Sequence, residues 1–198
     1  MTKLAIFISG RGTNMHSIIE SCNLGEICAE VALVFSNKKD AKGLDIAKSY
    51  NIKTEIIEHK DFPTREGYDL EVVNMLKNYD VDIICMAGYM RLVTALFLDN
   101  ISIPILNIHP SLLPKYKGAN AVEDAYNAGE EQSGCTVHHV IKEMDAGEII
   151  VQKSVNINKD DNLLDVKEKI LAKEHIAYRE ALNLIIKNNA FKKKIVKN

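Results

Sequence analysis

Apolar runs of strand length alternate along the chain with stretches where apolar residues recur every three or four positions. Residues 4–9 form a short apolar run ended by Gly10, and residues 14–22 follow with Met15, Ile18 and Ile19 at helix spacing. Residues 31–35 are the next apolar run, closed by Ser36-Asn37. Residues 40–50 read as helix and 53–57 as a short strand. Asp61-Phe62-Pro63-Thr64 supplies helix-start chemistry for a helix over 65–79. Residues 81–87 and 103–108 are apolar at nearly every position. Strands of that kind, rather than alternating ones, belong to parallel sheets covered on both faces. The βαβα order predicts an α/β, doubly wound fold with a mostly parallel sheet.

After Pro110 the pattern changes. Residues 119–128 read as a helix. Residues 135–141 and 148–155 read as two strands joined by a turn at Asp145-Ala146-Gly147, and a long helix covers 162–187. On that helix Leu163, Val166, Ile170, Ala177, Ala181 and Leu184 form one apolar stripe. Glu174 falls in phase with it, which places its carboxylate either at the stripe's open edge or against a polar ligand. The lysine-rich tail, 191–198, reads as a solvated end. No repeat, low-complexity segment or linker interrupts the chain, so 1–198 reads as one domain whose two halves share one sheet.

The length of 198 residues fits that single domain. Lys plus Arg total 25 against 27 Asp plus Glu, a net charge of −2, which argues against nucleic-acid binding through bulk charge. No apolar run approaches the roughly 18 residues of a membrane span. The start reads as a first strand rather than a signal peptide. Cys22, Cys28, Cys85 and Cys135 show no CxxC pairing, and Cys85 sits in an apolar run as a reduced buried thiol would. The expectation is a cytoplasmic protein without disulfides or a metal site.

Four segments carry candidate chemistry. Ser9-Gly10-Arg11-Gly12-Thr13-Asn14 follows the first strand, where open α/β sheets bind ligands. Its glycines permit close backbone approach and the helix after it offers free N–H groups, which suits a phosphate. It is neither a full GxGxxG nor a Walker loop. Asn107-Ile108-His109 ends the strand over 103–108, and residues two apart on a strand share a face. An amide that can hold an oxyanion beside an imidazole that can move a proton suits acyl-type transfer. No Ser or Cys stands in a nucleophile-elbow context, which favours direct transfer. Asp145 has an ordinary turn role, bonding its own backbone with Gly147 at positive φ, unless it partners His109. Glu174 is the fourth. His16 and His59 have no evident partner in sequence, whereas Thr136 and His138 share a strand face.

The segments ISGRGTN, VFSNKKDAKGL, FPTREGYD, AGYMRL, LNIHPSLLPKYKG, SGCTVHHV, MDAGEIIVQ and the pair Glu174-His175 span nearly the whole chain. In them the sequence resembles the phosphoribosylglycinamide formyltransferases, folate-dependent enzymes of purine synthesis. The resemblance implies a Rossmann-like formyltransferase fold. It also implies transfer of a formyl group from 10-formyltetrahydrofolate to the amine of glycinamide ribonucleotide, without a metal. Asn107, His109 and Asp145 would match the catalytic trio, and Thr136 the small hydroxyl residue near the reaction centre. Gly12, Thr13 and Asn14 would match the phosphate-binding residues, and Glu174 would contact the ribonucleotide. Arg65, Met90, Arg91, Leu92 and Val93 would lie around the folate, with Asn107 shared. On this reading residues 1–100, approximately, are the phosphate- and nucleotide-binding half, and 101–198 the catalytic and folate-binding half. Both partners are small molecules, with neither nucleic acid nor membrane involved, and the protein is a monomer or homodimer. The chain departs from many relatives at Gly118-Ala119-Asn120-Ala121, where they carry a histidine. Formyltetrahydrofolate hydrolases and methionyl-tRNA formyltransferases are rival readings, normally carrying an extra N-terminal and an extra C-terminal domain respectively. A non-catalytic nucleotide-binding module would have no reason to group Asn107, His109 and Asp145.

Overall fold

The computed structural model describes residues 1–188; the lysine-rich stretch 191–198 lies outside the described residues. Alternation of side chains between two cores explains the centre of the sheet. In β1 (Thr2–Ile8), Leu4, Ile6 and Ile8 enter one core while Ala5 and Phe7 enter the other, so the strand is apolar from Leu4 onward. β2 (Ala29–Ser36), β4 (Ile83–Met86) and β5 (Ile105–His109) likewise send apolar residues into both cores. With the short β3 (Thr54–Ile56) and the late β6 (Gln132–His139) and β7 (Ile149–Asn156), they form one seven-stranded sheet in the order β3-β2-β1-β4-β5-β6-β7. Pairing is parallel from β3 to β5 and antiparallel for β5–β6 and β6–β7. Both halves of the chain therefore share one sheet, as expected.

Helices α1 (Thr13–Asn23), α2 (Gly43–Ser49), α5 (Ala121–Asn127) and α6 (Leu163–Lys187) contribute to the core on one face. Helices α3 (Arg65–Leu76) and α4 (Ala95–Asn100) contribute to the other. Thr64 caps α3 by accepting from the Gly67 N–H, and Asn162 and Asp165 form a capping box at the start of α6. Tyr178 on α6 is fully buried and its hydroxyl reaches the carbonyl oxygens of Met86 and Leu106, both at 3.2 Å. That contact holds α6 against the end of β4 and the first part of β5, with Glu174 one turn earlier on the same helix.

Several boundaries differ from the sequence pattern for physical reasons. Residues 38–42 form a turn rather than the start of α2, because the Gly43 N–H docks on the Gly10 carbonyl at 3.0 Å. Helix α4 has six residues and buries only Phe97, too little to show a period. The small polar residues Ser133 and Gly134 pair with Val155 and Ser154 and extend β6 backwards. On α6 the buried stripe ends on Leu182 and Ile185, while Leu184 is 47% exposed. A 3.6-residue helix drifts away from a strict three–four step over that length.

Candidate active site

The strand order reverses between β1 and β4, so the loops after these two strands diverge and leave a crevice at the carboxyl end of the sheet. Ser9 ties the loops around it together. Its N–H donates to the Gly88 carbonyl, its hydroxyl donates to Asn37 Oδ1 at 2.6 Å, and it accepts from the Met90 N–H at 2.8 Å. The two glycines of the first loop do different jobs. Gly12 stands at φ 72°, and a Cβ there would meet the Gly43 Cα at 2.9 Å, so its smallness serves helix packing. A Cβ on Gly10 would have no heavy atom within 4 Å, so Gly10 is the position open towards a ligand. Gly12 caps α1 without a side-chain hydrogen bond, and no acidic residue lies in the first turn. The N–H groups of that turn face the crevice end of the helix, the arrangement that binds anions.

Asn107 and His109 leave β5 on one face, and the antiparallel register sets His138 opposite Asn107 and Thr136 opposite His109. His138 Nδ1 lies 2.9 Å from the His139 carbonyl oxygen, so that nitrogen carries a hydrogen. Burial, the largest cause, lowers the His138 pKa despite its backbone bond and the nearby Asp145. The neutral ring then presents Nε2 as an acceptor to Asn107 Nδ2 at 3.3 Å. This orients the Asn107 amide and leaves its second N–H for a reacting oxygen. His138, which the sequence pattern only paired with Thr136, is thus a positioning residue for Asn107.

His109 is 5% exposed, and its Nε2 donates to the Tyr116 carbonyl at 2.7 Å. Its Nδ1 faces Asp145 Oδ2 at 3.5 Å, an ion-pair distance rather than a hydrogen bond. The Asp145 carboxylate also accepts from the Gly118 N–H at 3.0 Å and lies 3.7 Å from His138 Nε2. The turn around it is not the ordinary one. Asp145 itself takes the left-handed conformation, φ 49°, and does not bond its own backbone. Gly147 is not at positive φ; it is required because a Cβ there would collide with the His139 carbonyl. Asp145 is one of three non-glycine residues at positive φ among the described residues, with Asn51 and Tyr116.

Thr136, expected at the reaction centre, is fully buried with its hydroxyl committed. It donates to the Ser111 carbonyl and accepts from the Leu113 N–H and from Gln152 Nε2. Its role is to anchor the loop after β5, because no lone pair or proton is left for a substrate.

Asn14 and Glu174 meet across 160 residues, Nδ2 to Oε2 at 2.7 Å, both 8% exposed. Burial pushes the Glu174 carboxyl up to about 7, against the bond from Asn14. Asn14 Oδ1 is buried without a partner. At the other side of the crevice Arg65 Nη2 donates to the Leu92 carbonyl at 2.6 Å. Met90 and Leu92 are 74% and 54% exposed, presenting apolar surface at the crevice. Arg91 stacks over the Tyr68 ring at 4.5 Å with its Nε buried and unpartnered, and Tyr68 and Tyr89 share a hydrogen bond below it. Neither buried tyrosine was singled out in the sequence. Asn120 is exposed at the N-cap of α5 and makes no capping bond.

Elsewhere, His16 finds Tyr50 and His59 finds Asn37, and the buried Cys85 thiol is pushed up by burial and is inert. Among the described residues no three His, Cys, Asp or Glu side chains converge to hold a metal, and no helix is long and apolar enough to cross a membrane. A cavity of about 830 Å³ lies at the opposite end of the sheet, lined by Cys22, Tyr50, Lys53 and Tyr79. Of the three buried side-chain atoms without a partner among the described residues, Asn14 Oδ1 and Arg91 Nε belong to the loops and helix start at the crevice, and the third is His175 Nε2 on α6.

Residues 2–182 match the formyl transferase family. The chain is 44% identical over 186 residues to the trifunctional purine biosynthetic protein adenosine-3 of Chironomus tentans, covering 92% of itself but only 14% of that protein. It is 41% identical over 178 residues to the phosphoribosylglycinamide formyltransferase of Haemophilus influenzae, covering 90% of itself and 84% of that protein. The crystal structure of phosphoribosylglycinamide formyltransferase from Bacillus halodurans superposes with a TM-score of 0.93 at 40% identity, over 97% of this chain and 100% of that one. The chain belongs to the formyl transferase family, alongside its phosphoribosylglycinamide formyltransferases.

Proposed function

We propose that this protein transfers a formyl group from 10-formyltetrahydrofolate to the amine of glycinamide ribonucleotide, a step of purine synthesis. The observation that carries the reading is the convergence of Asn107, His109 and Asp145 at the crevice, between an uncapped helix start and an exposed apolar segment. The nucleotide phosphate takes the N–H groups at Gly12, Thr13 and Asn14, and Glu174 takes the ribose side. The folate lies against Met90, Arg91, Leu92 and Val93, near Arg65. The nucleotide end draws on both halves of the chain, since Glu174 closes it on Asn14.

The amine attacks the formyl carbon and a tetrahedral intermediate forms with its charge on oxygen. The second N–H of Asn107 donates to that oxygen. The attacking nitrogen loses a proton and the leaving folate nitrogen gains one. His109 Nδ1, with Asp145 beside it, serves that transfer directly or through water, while Nε2–H stays on the Tyr116 carbonyl. The test supplies 10-formyltetrahydrofolate with glycinamide ribonucleotide, with water alone, or with charged initiator tRNA. Formylation of the ribonucleotide is expected; release of formate only, or formylation of tRNA only, overturns the reading.

A further inference from the structure

The loop after β5 holds both sides of the His109–Asp145 pair at once. The Tyr116 carbonyl accepts from His109 Nε2, and two residues on, the Gly118 N–H donates to Asp145 Oδ2 at 3.0 Å. Any rotation of residues 116–118 moves the imidazole and the carboxylate together. Tyr116 is an aromatic residue at φ 54°, in the left-handed region that side chains other than glycine rarely occupy. Such a conformation persists only where the surroundings over-determine it. One part of the surroundings comes from outside the loop. Glu130, at the junction of α5 and β6, accepts on one oxygen from both the Tyr116 hydroxyl and Lys115 Nζ, each at 2.9 Å. Lys115 and then Tyr116 hold its carboxyl below the usual carboxylate range, so it is an ionised acceptor at neutral pH. Ser111 adds a bond to the Lys115 carbonyl at 2.6 Å.

We infer that Glu130 is a positioning residue for the formyl transfer, acting through the Tyr116 hydroxyl to keep the 116–118 backbone in the one conformation that fixes the His109 tautomer and seats Asp145. Glu130 touches neither His109 nor Asp145. Its side chain is 27% exposed, and an ion pair that open to water contributes little to stability. Its effect is therefore on geometry. The inference rests on the proposed reaction for its kinetic readout, but the tautomer readout does not.

Removing the strap lets Tyr116 relax, and the carbonyl swings off Nε2. The variants Glu130→Ala, Glu130→Gln and Tyr116→Phe test this in the full chain. Glu130→Ala and Tyr116→Phe are each expected to lower kcat about 10-fold or more, as small misplacements of catalytic groups do, with both KM values near the parent's. Glu130→Gln keeps an oxygen for the tyrosine hydroxyl and is expected to restore most of the rate. Combining Glu130→Ala with Tyr116→Phe should cost no more than either alone. In parallel, ¹⁵N NMR of the imidazoles without substrates should show His109 with its hydrogen on Nε2 in the parent and Glu130→Gln, and as a tautomer mixture in the other two. An unchanged kcat and tautomer in Glu130→Ala overturns the inference. So does an equal loss in Glu130→Gln, which would assign the effect to the charge pair with Lys115. A parent that forms no formylated ribonucleotide defeats the proposed reaction instead, and the NMR result still decides the strap.

Discussion

Glu174 is a carboxylate on the buried stripe of a helix, and the cost of holding it there is measurable. Burial raises its carboxyl from 4.5 to about 7. That gap is worth about 3 kcal/mol at roughly 1.4 kcal/mol per pH unit, an upper figure because the residue keeps a little contact with solvent. The sign follows from which state binds the proton more tightly. The native state does, so stability falls as pH rises from about 4.5 to about 7 and is level above that. Glu174→Gln keeps an oxygen for Asn14 Nδ2 and carries no charge at any pH. At pH 8 the variant should be more stable than the parent by up to about 3 kcal/mol, roughly 6–12 °C in Tm for a chain of this size. At pH 4.5 the two should coincide. His138 and His175, whose charged forms burial disfavours, act in the opposite sense and lose their contribution as pH falls. They are common to both proteins, so the difference between the two curves isolates Glu174. Thermal melts followed by circular dichroism at half-unit steps from pH 4.5 to 8, without ligands, give that difference. A difference that is flat with pH, or a variant less stable at pH 8, refutes the burial argument. If Glu174 also grips the ribonucleotide, the stabilised variant has a raised KM for it and an unchanged KM for folate. That is the trade between stability and function expected of a binding residue.

Three further outcomes follow from the crevice geometry. Gly10→Ala should fold as the parent does, since its Cβ meets nothing, and should raise the KM for glycinamide ribonucleotide; Gly12→Ala should lose stability first, because its Cβ is forced against Gly43, as melts beside steady-state kinetics will show. Asn107→Ala should lower kcat about 10²–10³-fold while calorimetry finds ribonucleotide binding intact. Asp145→Asn should leave the fold unchanged and lower kcat about 10²-fold or more, and a parental turnover would return Asp145 to a turn residue.

What the chain revealed in advance depended on the range of the interaction. The sheet was legible because β1 from Leu4, β4 and the start of β5 are buried on both faces, and strands buried on both faces read as nearly continuous apolar runs. Asn107 and His109 were legible because two-residue spacing at a strand end is a local rule. Glu174 was legible as an anomaly, a charge in phase with Ile170 and Ala177, but its partner Asn14 lies 160 residues away, and only the folded α1–α6 contact decides between an open edge and a ligand. Thr136 misled for a related reason. A hydroxyl beside a catalytic strand looks reactive until the three bonds that consume it are formed, two to the loop after β5 and one from Gln152 on β7. The groups that set the histidine tautomers carried no signal at all, since they are backbone atoms: the carbonyls of Tyr116 and His139. Side-chain chemistry is written in the residue types. The proton positions that make it usable are written in the backbone, through residues such as Tyr116 and Asp145 held at positive φ. It follows that variants of this protein can lose turnover with every catalytic side chain in place, when the loop from Ser111 to Gly118 no longer presents its carbonyl and its N–H to the pair they hold.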